Sequence, residues 1–91
     1  MPGSLFMRSL KHPEAEIRAN TSLFTCFGKK VKYYREVRHI SQETLGGNAH
    51  LDRSYISNIE CGKCNPSLLT MSKIAGALNV TISELICMSV N

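Results

Sequence analysis

A chain of 91 residues has room for one small domain, able to bury about 60% of the surface its unfolded form exposes. Hydrophobic residues make up 43% of it, chiefly Leu, Ile, Val and Met, which suits a compact globule rather than a disordered tail, and no run approaches the roughly 18 apolar residues of a membrane span. Eleven Lys and Arg against seven Asp and Glu give a formal charge of +4, a basic bias compatible with nucleic acid but shared with many unrelated proteins.

The excess is not a basic arm: residues 1–22 carry three bases and two acids, and the remainder eight and five. Met1 to Leu10 lacks the apolar run of a signal peptide, so the expected compartment is the cytoplasm. The four cysteines, Cys26, Cys61, Cys64 and Cys87, are accordingly expected to be reduced.

In chain order, residues 1–24 read as an N-terminal extension, flexible or with one short helix in which Pro13 takes the first helical position. Residues 25–91 read as the folded domain. Phe27, Val31, Tyr34 and Val37 or Arg38 recur at helical spacing, with Lys29, Lys30, Lys32 and Glu36 on the other face, so a helix is expected over about Cys26 to Arg38. His39 can end it, because His tolerates a left-handed backbone better than most residues. Of the three lysines at least one is expected simply to face solvent, and Tyr33 and Tyr34 are expected to pack rather than stack on bases.

Ser41 is a helix-start residue, and Leu45 and Ala49 form an apolar i, i+4 pair, which predicts a helix over about Gln42 to Ala49. Gly46 and Gly47 are costly inside it, at about 1 kcal/mol each. Close approach of a neighbouring helix is the expected reason for Gly46; Gly47 is expected to face solvent. After the tight link at His50 and Leu51, Asp52 starts a third helix over about Arg53 to Glu60, with Ile56 and Ile59 inward and Arg53, Ser54, Tyr55, Ser57 and Asn58 outward.

Gly62 is the stop after that helix, and Asn65-Pro66-Ser67 starts a fourth, whose Leu68, Met71, Ile74, Ala75 and Leu78 follow the 3.6-residue period up to Asn79. Thr81 caps a short fifth helix holding Ile82, Leu85 and Ile86. No alternating stretch of strand length occurs, so the fold class is all-α, five helices with short links.

The ladder S-Q-E-x-L-x(5)-L-D-R-S-Y-I-S-x-I-E-x-G-x-x-x-P, with FGKKVKYYRE before it and LLTMSKIAGALNVTISEL behind, resembles the Cro and phage-repressor (Xre-type) helix-turn-helix family from Phe27 to Ile86. Within that family it is most similar to phage repressors and restriction-modification controller proteins. The resemblance implies a compact lambda-repressor-like domain that binds double-stranded DNA as a homodimer on a pseudo-palindromic operator, without a cofactor and without catalysis. It also implies roles: Gln42 on a phosphate, Arg53, Ser54, Tyr55, Ser57 and Asn58 at base edges, and Arg35 paired with Glu60.

Chemistry supports those roles, since Arg can grip guanine and Asn adenine bidentately in the major groove, and Lys63 follows the third helix where a phosphate would lie. Three positions depart from the family pattern: His50 for the usual turn glycine, Gly46 for alanine, and Cys61 for a basic or polar residue. The first implies mild turn strain and the second a less stable helix.

Cys61-Gly-Lys-Cys64 has zinc-knuckle spacing, but a closed site needs four ligands. Cys26, Cys87, His39 and His50 complete one only if the fold gathers them. A redox pair with a thiol pKa lowered by Lys63 is a second reading, and small inert loop residues the favoured one. Ile82, Leu85, Ile86 and Met88 exceed what so short a helix can bury alone and are the expected dimer face, unless the N-terminal tail covers them. The alternative function is an antitoxin or adaptor, a protein-interaction module on the same fold. No Ser/His/Asp set, paired carboxylates or phosphate loop suggests an enzyme.

Overall fold

The computed structural model describes residues 13–86, with side chains from residue 23 onward. Five helices follow one another: α1 Pro13–Val37, α2 Gln42–Ala49, α3 Arg53–Glu60, α4 Leu68–Leu78 and α5 Ile82–Leu85. No strand occurs among the described residues.

The first helix differs most from expectation. Instead of a break between an extension and a helix starting near Cys26, α1 is one helix of 25 residues that opens at Pro13. Pro at the first helical position loses no hydrogen bond, and neither Gly nor Pro interrupts the stretch before Gly28. The helix ends where expected, with His39 at φ 57°.

Three of the four later helices begin on the hydroxyl caps read from the sequence. Ser41 accepts from the backbone N–H of Thr44, and Ser67 from that of Thr70. Thr81 and Glu84 form a reciprocal capping box. Asp52 occupies the position before α3 but makes no side-chain cap bond. Asn79 ends α4 at φ 59°.

α1 packs on α3, α4 and α5, and α2 on α3 and α4, so the domain closes around one core. Phe27, Val31, Leu45, Ala49, Ile56, Ile59, Ile74, Ala75, Leu78 and Leu85 are all buried. Leu85 is fully buried within its own domain, which removes it from the expected dimer face: a side chain with no surface left has none to offer a partner. Ile82 and Ile86 are half-buried, and Met88 and Cys87 lie outside the described residues.

The turn between α2 and α3 explains two departures from the family pattern together. His50 caps α2 in the left-handed region at φ 59°, and the chain then folds back so that the N–H of Leu51 donates to Gly46 O at 2.8 Å. A Cβ at Gly46 would lie 2.6 Å from Leu51 O. The close neighbour is therefore the turn's own carbonyl and not a crossing helix. Gly47 faces open space, as expected.

Candidate nucleic-acid interface

α3 is amphipathic at short range: Ile56 and Ile59 are fully buried while Arg53, Ser54 and Asn58 are exposed. Burial of the two isoleucines fixes the rotation of the helix about its axis, and so fixes which side chains it presents. Tyr55 and Ser57 are only half exposed, and Tyr55 packs against the core. The presenting face is thus narrower than the five residues expected from the sequence.

α2 meets α3 through a polar network that spacing alone does not display. The Glu60 carboxylate, at the end of α3, accepts from Arg35 Nε at 2.6 Å and from another guanidinium nitrogen at 3.1 Å. Gln42 Nε2, at the start of α2, donates to the same carboxylate at 2.9 Å. Arg35 also donates to the carbonyl of Ile40 at 2.9 Å, in the link between α1 and α2. The side chains of Arg35 and Glu60 are 12% and 3% exposed, so the pair is largely shielded from water.

One carboxylate therefore ties three helices together, and its hydrogen bond holds the Arg35 guanidinium above its usual pKa. The bond also orients Gln42: its amide nitrogen faces Glu60, and one further N–H of that nitrogen remains for another acceptor. Gln42 is a held side chain and not a free arm.

A shallow concavity opens beside this network, lined by Arg35, Ser41, Gln42, Glu43 and Arg53. It brings Arg53 alongside Gln42 at the N-terminus of α2. Unpaired N–H groups at a helix start and a cation suit an acceptor-only anion such as a phosphate. Lys63 is exposed beyond the other end of α3, so the sequence-chosen residues fall at both ends of that helix.

Tyr34 packs against the core, but Tyr33 is 59% exposed and meets Tyr34 edge-on at 5.1 Å between centroids. Tyr34 thus packs into the core, and Tyr33 packs on its neighbouring ring from the surface. Lys29 and Lys32 are exposed and Lys30 is half exposed.

No group of three metal-ligating side chains forms among the described residues. Cys61 and Cys64 are free thiols, Cys61 exposed and Cys64 half-buried against the core. Burial pushes the Cys64 thiol up, opposite to the lowering a redox pair requires. A maleimide at neutral pH is accordingly expected to label Cys61 well before Cys64, which timed mass spectrometry would read. Equal rates would show that burial does not shield the Cys64 thiol.

A helix-turn-helix family profile matches residues 31–85, the segment that builds this arrangement. The chain belongs to the helix-turn-helix family. This helix-turn-helix protein is 47% identical over 60 residues to the control protein C.MunI of a Mycoplasma species, covering 65% of this chain and 81% of that protein. It is 39% identical over 59 residues to the immunity repressor of Bacillus phage phi105, a match covering 65% of this chain and 41% of the repressor. Among solved structures, the restriction-modification controller protein C.AhdI from Aeromonas hydrophila superposes with a TM-score of 0.68 at 38% identity, over 69% of this chain and 96% of that one. No helix of the described residues is long and apolar enough to cross a membrane.

Two features of the site escape a reading of the sequence. Gly28 lies where α1 crosses the end of α3, with the carbonyls of Ile59 and Glu60 directly against it. The bond from Gln42 to Glu60 joins residues 18 apart. A lone glycine and a polar pair at that separation carry no periodic signal.

Proposed function

We infer that the chain is a sequence-specific DNA-binding transcriptional regulator, acting as a homodimer on a pseudo-palindromic operator. The observation that carries this reading is the face of α3: Arg53, Ser54 and Asn58 exposed over a pair of fully buried isoleucines, beside the capped start of α2. In the helix-turn-helix geometry α3 enters the major groove with its N-terminal residues at base edges, while α2 crosses the backbone. Arg53 and Asn58 supply the base contacts, with Ser54 beside them. Gln42 and Lys63 set position on phosphates.

The controller proteins among its relatives support regulation of a neighbouring gene set, and a restriction-modification system is the context we favour. The mechanism needs no catalysis. Affinity comes from cation–phosphate contacts with release of counterions, and specificity from hydrogen bonds on α3.

Selection of bound sequences from a random duplex pool tests the reading, followed by four variants on the selected site and on random DNA. Arg53→Ala and Asn58→Ala should each lose about 1 to 3 kcal/mol on the selected site and far less on random DNA. Gln42→Ala and Lys63→Ala should weaken both, and Lys63→Ala should reduce the salt slope by about one per subunit. Half-sites should be centred about 10 to 10.5 base pairs apart or a multiple of that. Equal losses on both DNAs for all four variants would leave only a basic surface and favour a protein-interaction module.

A further inference from the structure

The concavity at the start of α2 is lined by five side chains, and the DNA-binding reading accounts for four of them. Arg35 is committed to Glu60 and to the Ile40 carbonyl, Ser41 caps α2, Gln42 is held on Glu60, and Arg53 faces the bases. The fifth is Glu43, an exposed carboxylate in the first turn of α2. Among the described residues neither Glu43 nor Arg53 makes a hydrogen bond or an ion pair through its side chain, so two opposite charges share one concavity uncommitted.

A carboxylate on a surface that meets a polyanion lowers affinity for every sequence alike, unless it acts on one particular group. Arg53 is such a group. A guanidinium binds a phosphate as readily as the O6 and N7 of guanine, and on a phosphate it carries no sequence information. We propose that Glu43 is a specificity determinant: its charge keeps phosphates away from Arg53 and leaves the neutral edge of guanine as the acceptor that Arg53 takes on DNA. The proposal rests on the DNA-binding reading above and adds to it the residue that decides between the two acceptors.

The placement of the groups supports this division. Glu43 directly follows Gln42, the residue set on the backbone, and lines the same concavity as Arg53. A phosphate drawn in to meet Arg53 there lies beside the carboxylate as well, inside the screening length of about 8 Å at physiological salt, and is repelled. A guanine edge is uncharged and lies in the major groove off the exposed face of α3, so the carboxylate does not oppose it. Glu43 also favours α2 as an acidic first-turn residue, but that effect depends neither on the DNA sequence nor on Arg53.

Titrations of the full chain on the selected site and on random duplex, read by fluorescence anisotropy, test the proposal with Glu43→Gln. Glu36→Gln, at an exposed carboxylate of α1 outside the concavity, is the control for one unit of net charge. Both substitutions keep the size of the side chain and remove no side-chain hydrogen bond, so each variant should keep its fold, checked by helical circular dichroism. Glu43→Gln should bind random DNA about two- to fivefold more tightly than the control variant does, and the selected site no more tightly, so the ratio of the two affinities falls by the same factor. Its salt slope on random DNA should steepen by about one per subunit, because Arg53 gains a phosphate. With Arg53→Ala also present, the extra gain on random DNA should vanish. An equal gain on both DNAs, a gain that survives Arg53→Ala, or no gain over the control would overturn the role of Glu43 and leave the DNA-binding reading standing. A wild type that binds both DNAs alike would overturn both.

Discussion

Glu60→Ala should lower the free energy of unfolding by about 3 to 5 kcal/mol, read as a fall in the urea midpoint at unchanged slope. The Arg35 guanidinium is only 12% exposed, and the substitution removes the carboxylate that receives two of its N–H groups, leaving a shielded charge bonded to the Ile40 carbonyl alone. Arg35→Ala should cost a similar amount, since Glu60 is 3% exposed and would keep only the neutral amide of Gln42. Because each single variant strands the other member of one pair and the double variant strands neither, the double variant should lose much less than the two losses added together. Additive losses would show two independent side chains and refute the network.

The network also predicts a consequence for DNA binding. With Glu60 gone, the Gln42 amide loses the acceptor that orients it. Glu60→Ala should therefore weaken selected and random DNA alike, in the manner of Gln42→Ala, when measured well below its unfolding temperature.

Gly28→Ala is the second large effect. A Cβ there falls on the carbonyl oxygen of Ile59 and comes within 2.9 Å of that of Glu60. Both neighbours are backbone atoms of α3, so no flexible side chain can swing aside, and α1 and α3 must separate. The expected cost is about 1 to 3 kcal/mol or more, despite the gain in helix propensity that alanine brings. Gly47→Ala is the internal contrast. It meets nothing within 4 Å and should stabilise α2 by about 0.5 to 1 kcal/mol. Thermal midpoints that move the same way for both variants would contradict the close crossing of α1 and α3.

Local chemistry left a legible trace in the chain. Ser41, Ser67 and Thr81 mark helix starts because their hydroxyls satisfy N–H groups within the next turn, and each does so at the position read from the sequence. His39, His50 and Asn79 mark the helix ends by the residues that tolerate a left-handed backbone. The core was equally legible through Val31, Leu45, Ile56, Ile59, Ile74 and Leu78, whose 3.6-residue spacing is a property of each helix alone.

What failed to show in the sequence depends on how the helices meet. Tyr55 and Ser57 read as outward residues of α3, yet their exposure depends on what α3 packs against. Leu85 read as surplus apolar surface on a short helix, and α1 and α4 absorb it. The length of α1 was obscured by a polar stretch before Cys26, where local signals are weak and nothing marks a break.

The sequence by itself determined five helices, the three hydroxyl caps, most of the core and a helix-turn-helix ladder, because each is written in contacts spanning one or two turns. Only the tertiary structure decided that one carboxylate at Glu60 serves both Arg35 and Gln42, that Gly28 and Gly46 stand against carbonyls, and that Leu23 and Phe24 join Met71 and Ile86 in one groove. Those relations unite residues far apart in the chain, and their geometry exists only once the helices have packed at fixed angles and distances.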